Sequence, residues 1–117
     1  MVKLDLLDFS DFIAKVILIK EVSSPRIYIL KYKIELKNDT SLYVKEVTVF
    51  ADNKIDYACQ WQKLDTTLII RWDNAHEHPS IESSPYHQHV GSESNILPSE
   101  PMTLEKVLNY IKAQIAI

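Results

Sequence analysis

Apolar and polar residues alternate through four consecutive runs of the chain, and this pattern limits the possible folds more than any other feature. The runs cover residues 28–36, 42–50, 55–62 and 68–73, and turn-forming residues separate them. A period of two is typical of β-strands that bury one face and expose the other. Connections this short join antiparallel neighbours. The centre of the chain is therefore predicted to form an antiparallel β-meander.

The segments that flank these runs follow other patterns. Residues 4–21 favour a short helical start followed by a strand around residues 16–19. Residues 74–101 lose the alternation and are rich in proline and serine, which predicts a long irregular loop. Thr103 is a suitable N-cap for a closing helix, whose apolar stripe is Leu104, Val107, Leu108, Ile111 and Ile115. We predict a single α+β domain over residues 1–117, an antiparallel meander sheet with a long His-rich loop and a C-terminal helix packed on the sheet.

Rare residue types narrow the possible chemistry. Cys59 is the single cysteine, which excludes an internal disulfide and a cysteine-based zinc site. Gly91 is the single glycine, so glycine-rich phosphate loops and dinucleotide-binding motifs are excluded. A formal net charge of −3 argues against a protein that coats nucleic acid by bulk charge, although a local patch could still grip RNA. With no signal-peptide core and no apolar run of membrane-spanning length, we expect a cytoplasmic protein with no membrane partner.

Every histidine of the chain lies between Arg71 and Val90. The four are His76, His78, His87 and His89. His87 and His89 are two residues apart, so in an extended segment both side chains point the same way. Arg71 and Asp73 come from one face of the preceding predicted strand. This His/Asp/Arg cluster is where we expect the chemistry of the chain.

Three interpretations of the cluster are open on the residues alone. Neutral imidazoles could bind a divalent metal, with Asp73 or Glu77 as a ligand or as an orienting group. Alternatively, one histidine is a general base and another a general acid, while Arg71 stabilises a developing anion on phosphate. Metal-independent RNA cleavage needs that set of groups and nothing more. In the third interpretation, the histidines are polar loop residues that hydrogen-bond to Asp73 and Glu82.

Glu46 is a separate candidate, because it shares a predicted strand face with Leu42 and Val44. A carboxylate among apolar neighbours is costly unless it is paired or functional, and Arg71 or a histidine would be a suitable partner. A bulge or a sheet edge would instead place Glu46 in water. Cys59 is expected to be buried, which makes it a poor nucleophile.

Three stretches of the cluster form an ordered motif that contains several rare residue types. They read Arg71-Trp72-Asp73-Asn74-Ala75, His78-Pro79 and Pro85-Tyr86-His87-Gln88-His89-Val90. This motif resembles that of the TumE-type toxins, and the resemblance covers roughly residues 42–115. The chain departs from the family pattern at His76, Glu77 and Tyr86, where the family has a proline and two histidines. A mechanism that needed the first of those histidines would require His76 to replace it, and an inactive relative is an alternative.

The resemblance implies the toxin half of a toxin–antitoxin module, paired with a small helix-turn-helix antitoxin. Small toxins of this kind commonly attack RNA, so RNA is the expected substrate by analogy. We predict a metal-independent ribonuclease with no cofactor and no bound metal, whose catalytic residues are His78, His87, His89, Asp73, Arg71 and Glu46. The alternative is a non-catalytic domain whose loop binds a metal or the antitoxin. An exposed strand edge or the apolar C-terminal residues 115–117 could support a homodimer.

Overall fold

The computed structural model describes residues 6–75 and 77–115, without the side chain of Leu7. Seven strands form one sheet in which each strand pairs antiparallel with the next along the chain. The strands are β1 (Ile13–Ser23), β2 (Ile27–Leu36), β3 (Thr40–Val49), β4 (Lys54–Lys63), β5 (Leu68–Asp73), β6 (His87–Val90) and β7 (Ile96–Pro98). In the described part of the chain, one α-helix, α1 (Leu104–Ile115), follows them, and short 3-10 helices lie at Leu6–Phe9 and Phe50–Asp52. The predicted α+β class and the meander topology are confirmed.

The tight connections explain why the strands turn where they do. Asp39, Asn53 and Thr66 have φ values of 63°, 50° and 71° between successive strands from β2 to β5. Asp and Asn tolerate this left-handed region better than other non-glycine residues. Gly91 follows β6 with φ of 76°, and an added Cβ there would meet nothing within 4 Å. The backbone conformation, and not lack of space, is therefore what favours glycine at this turn.

The core lies between one face of the sheet and α1. Thr103 Oγ1 accepts a hydrogen bond from the Lys106 N–H at 3.2 Å, which confirms it as the N-cap. The helix buries Leu104, Val107, Leu108 and Ile111. They share one hydrophobic core with the sheet residues Ile34, Leu36, Leu42, Val44, Cys59, Trp61, Ile70 and Trp72. The predicted apolar stripes of the strands and of the helix are thus the two sides of this core.

The flanking segments differ from the prediction in detail. The segment at residues 74–101 is not wholly irregular, since it contains β6 and β7. These strands are four and three residues long, too short for an alternation to stand out, and pairing with β5 is what fixes them. At the N-terminus, the helical start is a 3-10 helix at Leu6–Phe9, and β1 already begins at Ile13.

The two edges of the sheet are β1 and β7. On β1 the large apolar residues Val16, Leu18, Ile19 and Val22 are exposed. A homodimer through such an edge remains a prediction, and of the C-terminal residues 115–117 only Ile115 is among those that the structure describes. Within the described residues, no helix is long and apolar enough to cross a membrane.

Candidate functional site

Strand register brings the predicted cluster together on the sheet face opposite α1, here called the polar face. In the pairing of β5 with β6, Arg71 lies directly opposite His89 and Asp73 lies directly opposite His87. Directly paired residues point to the same side of a sheet, as do residues two apart in one strand. The four side chains therefore form one compact group.

Asp73 is the centre of this group. Its Oδ1 lies 2.7 Å from His87 Nε2, and its Oδ2 lies 3.6 Å from His89 Nε2. Arg71 Nε also donates to Oδ2 at 3.1 Å. The Asp73 side chain is 6% exposed, and those of His87 and His89 are 1% and 7% exposed. One carboxylate thus serves three cationic or potentially cationic groups in a nearly dry site, where such contacts are strong.

Backbone carbonyls fix the tautomers of the two buried histidines. His87 Nδ1 lies 2.7 Å from the carbonyl oxygen of Pro85, and His89 Nδ1 lies 2.7 Å from that of Glu93. A carbonyl only accepts hydrogen bonds, so both Nδ1 atoms carry a proton and both Nε2 atoms face Asp73. In a neutral ring that Nε2 has a bare lone pair, which would repel the carboxylate at 2.7 Å. The contact between His87 and Asp73 therefore requires either a shared proton or a bound cation.

Arg71 connects the buried carboxylate to the surface. Besides its bond to Asp73, its guanidinium donates to Glu93 Oε1 at 2.5 Å. Its side chain is 23% exposed, and that of Glu93 is 62% exposed. One part of the guanidinium fork is therefore committed to the interior, while another part faces an exposed anion.

His78 approaches the cluster from the loop between β5 and β6. Its ring centroid lies 4.2 Å from that of His87, which in turn lies 5.0 Å from that of His89. The His78 N–H donates to Ser84 Oγ at 2.9 Å, and Ser84 Oγ donates to Glu77 at 3.0 Å. His78 is partly exposed, whereas His87 and His89 are buried. His76, the remaining histidine, lies outside the described residues.

Asn74 holds the end of β5 against β4. Its Oδ1 accepts the N–H of Tyr57 at 2.9 Å, and its Nδ2 donates to the carbonyl of Ile55 at 3.0 Å. Asn74 is buried and its side chain does not point into the polar cluster. It therefore positions Asp73, its neighbour in the chain, through the backbone.

Glu46 is not brought into this group. It lies opposite Tyr57 in the pairing of β3 with β4, whereas the next residue, Ala58, lies opposite Asp73. Since neighbouring residues of a strand point to opposite faces, Glu46 and Asp73 are on different faces of the sheet. Glu46 is half-buried, and this burial raises the pKa of its carboxyl.

Cys59 and the aromatic residues of β4 belong to the core. Burial raises the pKa of the Cys59 thiol to about 12, so it is a poor nucleophile. Trp61 is 6% exposed, and its indole N–H donates to Thr40 Oγ1. The Tyr57 hydroxyl accepts the N–H of Met102 at 3.0 Å, which ties β4 to the segment before α1.

The three groups at the centre of the cluster also form a donor set that suits a divalent metal. Asp73, His87 and His89 each offer one ligand atom, and these atoms all lie within 4.8 Å of one another. Two imidazoles and a carboxylate suit several divalent transition metals. The bonds from Nδ1 to the backbone carbonyls are the outer contacts that metal-binding histidines commonly make.

Glu93 is the member of the site that the sequence pattern did not indicate. Its carboxylate binds Arg71, its backbone carbonyl binds His89, and its Oε2 lies 4.0 Å from His89 Nδ1. It stands in a serine-rich turn and is exposed, as most glutamates are. The only sequence signal was its position four residues after His89.

Comparison with known protein families gives one result. A family model described as Toxin TumE matches residues 3–115, which is nearly the whole chain. The match reaches further towards the N-terminus than the motif of the cluster alone. Neither the curated proteins nor the solved structures gave a significant match.

Proposed function

The chain belongs to the TumE toxin family, and on that premise we propose that it is a toxin that cleaves RNA without a metal ion. A toxin of this kind has an antitoxin partner, and we propose a small helix-turn-helix protein in that role and the cytoplasm as the place of action. The observation that carries the proposal is the sharing of buried Asp73 by His87, His89 and Arg71. In such a cluster the histidines can carry a proton next to an arginine that binds an anion.

Arg71 suits the phosphate of the scissile bond. Its planar fork matches two phosphate oxygens. The part of the fork that meets Glu93 already holds an exposed carboxylate, which a phosphate of the substrate could replace. Asp73 keeps the other part in place, so Arg71 would need little rearrangement on binding.

The reaction requires one base and one acid, and we assign these roles to His78 and His89. The base takes the proton of a ribose 2′-hydroxyl, and the 2′-oxygen forms a new bond to phosphorus. The bond from phosphorus to the 5′-oxygen breaks, and the acid donates its proton to that oxygen. The products are a 2′,3′-cyclic phosphate and a 5′-hydroxyl, with no redox change and no added reactant. A positioned histidine pair typically contributes about 10²–10⁴-fold per proton transfer.

His87 has a supporting role in this scheme. It is fully buried, with both ring nitrogens bonded, and its ring lies between those of His78 and His89. It can therefore orient the other two rings and transmit charge between them without touching the substrate. Glu46, on the other face of the sheet, has no step in the scheme.

Growth arrest on expression tests the proposal. The double variant His87→Ala/His89→Ala should abolish it, because it removes both buried partners of Asp73. Gln88→Ala is the matched control, since Gln88 lies between the two histidines in β6 but on the other face of the sheet. Arrest by a folded double variant that is as strong as that of the control would sink the proposal. His78→Ala is a second test. It removes a more exposed ring, so a loss of growth arrest in this variant would not be explained by unfolding of the protein.

The compact ligand set favours one second candidate, a non-catalytic domain that binds a metal. Asp73, His87 and His89 have the donor chemistry and the proximity for it. Elemental analysis of the purified protein separates the two. Stoichiometric zinc or nickel that is lost in His87→Ala would favour the metal candidate, and a metal-free protein that still arrests growth would favour the ribonuclease.

A further inference from the structure

Three lysines stand directly opposite one another on adjacent strands of the polar face. Lys20 of β1 pairs with Lys31 of β2, and Lys31 pairs with Lys45 of β3. Directly opposed residues project from the same face with Cβ atoms about 5 Å apart. We call these three residues the lysine row.

Such a row is unfavourable for the folded protein by itself, because like charges directly opposite each other are destabilising. Lys33 and Lys54 of the same sheet have acidic partners in Glu35 and Asp56. Among the residues that the structure describes, none of the lysine row has an acidic oxygen within 4 Å. The row is thus a set of three adjacent positive charges with no ion-pair partner among the described residues, on a chain whose formal net charge is −3.

The lysine row lies in line with the His/Asp/Arg cluster across the strands of the sheet. The same line of paired residues continues from Lys45 through Ala58 and Asp73 to His87. It crosses six strands, which at about 4.8 Å per strand is about 24 Å. A second line runs beside it, and its members are Lys33, Tyr43, Gln60, Arg71 and His89.

An open groove of about 410 Å³ lies on this path. Its lining includes Lys31, Lys45, Ala58, Gln60 and Arg71, so it reaches from the lysine row to the edge of the cluster. Ala58 contributes only a methyl group between the charged ends. Tyr43 and Gln62 also line the groove. An aromatic ring and amide groups are what unpaired bases stack on and bond to.

We infer that the polar face is the binding path for a single-stranded RNA, with its phosphates on the lysine row and one phosphate at Arg71. The inference rests on the proposed ribonuclease function and adds the site that holds the substrate strand. A single strand fits better than a duplex, because the groove offers Tyr43 and Gln60 to bases that are not paired. It fits better than an acidic protein, because the path ends on the groups proposed to cleave a phosphodiester.

A charge-matched pair of triple variants tests this path. The row variant carries Lys20→Gln, Lys31→Gln and Lys45→Gln. The control variant also loses three positive charges, at exposed lysines outside the polar path, and carries Lys37→Gln, Lys63→Gln and Lys112→Gln. The binding probe is a fluorescein-labelled single-stranded RNA of about 12 nucleotides with 2′-O-methyl groups, which block the proposed cleavage. Cleavage is measured separately on the unmodified strand.

The expected loss follows from counterion release. For single strands, each phosphate contact contributes about −0.7 to the slope of log K against log salt. Loss of three contacts should make the slope of the row variant shallower than that of the wild type by about 2. If the two proteins bind alike at 1 M salt, the row variant should then bind about 100-fold more weakly than the wild type near 0.1 M salt. The control variant should keep the wild-type slope. The row variant should melt no lower than the control, because it relieves an opposed set of like charges.

Each other outcome is decisive. Equal RNA affinity of the row and control variants would overturn the inference even if the wild-type protein cleaves RNA. A row-dependent affinity in a wild-type protein that cleaves no RNA would support the binding path and refute the ribonuclease. Row-dependent binding of poly-glutamate as tight as that of the RNA would assign the surface to an acidic protein and overturn the inference. A row variant that melts below the control but keeps the wild-type salt slope would show that the lysines serve stability, and would overturn the inference.

Discussion

Replacing Asp73 with alanine removes a carboxylate that three neighbouring side chains share. Arg71 Nε and His87 Nε2 would lose a close partner, and His89 Nε2 would lose a carboxylate oxygen 3.6 Å away, in a site where both imidazoles are buried. Breaking a buried ion pair by removal of one partner costs about 3–5 kcal/mol. Because Arg71 is 23% exposed and keeps Glu93, we expect a value near the lower end. The predicted loss in the free energy of unfolding is about 3 kcal/mol, or about 10 °C in Tm.

Two companion variants sharpen this prediction. Asp73→Asn keeps the volume, and its amide can donate to a neutral His87 Nε2, so it should cost only about 1–2 kcal/mol. Asp56→Ala removes a partly exposed aspartate whose Oδ1 lies 3.7 Å from Lys54 Nζ and, among the described residues, has no hydrogen-bond partner, so the change should cost less than about 1 kcal/mol. Urea unfolding can be followed by tryptophan fluorescence, since Trp61 and Trp72 are both buried. If Asp73→Ala were no more destabilising than Asp56→Ala, the central role of Asp73 would be refuted.

Three further predictions concern single groups. Arg71→Lys keeps the charge but loses the fork, so cleavage of RNA should fall at least about 10-fold while Tm changes by only a few degrees; unchanged cleavage would contradict the phosphate role. Burial raises the pKa of Glu46 in the folded state, so its favourable contribution is complete below the usual value of 4.5 and is lost as pH rises through the raised pKa. The gain in Tm from Glu46→Gln should therefore be larger near pH 7 than near pH 4, and a constant gain would contradict this. The Cys59 thiol, with a pKa of about 12, should react with Ellman's reagent only after unfolding, and rapid reaction of the native protein would refute its burial.

The hydrophobic pattern was sufficient to predict the strands that bury apolar side chains in the core. Ile34, Leu42 and Trp61 alternate with polar residues and are buried as predicted. The same rule failed for β6, because its buried residues on the polar face are His87 and His89, which a hydrophobic pattern counts as exposed. A strand that buries histidines on one side and pairs by its backbone carries too little apolar signal to be found.

The membership of the cluster was predictable, but its internal geometry was not. Arg71 and Asp73 were assigned to the strand face opposite Trp72, and the histidine pair to an extended segment. The offset that places Asp73 opposite His87 depends on how the intervening loop folds, and no periodicity encodes that. For Glu46 the sheet face was predicted correctly, but the expected pairing with Arg71 was wrong. Arg71 lies on the opposite face of the sheet.

The family match confirms the toxin resemblance that the motif indicated. It also extends the relationship to the first strands, where the motif has no residues. The departures at Glu77 and Tyr86 lie in the loop that carries His78. Glu77 there accepts a hydrogen bond from Ser84, so in this chain it braces the loop backbone. A histidine at that position is thus not needed to hold His78 beside His87.

The most direct test of the account is the cleavage of RNA by the purified protein in excess EDTA, with analysis of the product ends. Cleavage should survive the chelator, leave 2′,3′-cyclic phosphate and 5′-hydroxyl ends, and be lost in His89→Ala but kept in Gln88→Ala. Cleavage that appears only when zinc or another divalent ion is restored would contradict it. So would cleavage that His89→Ala and Gln88→Ala support equally.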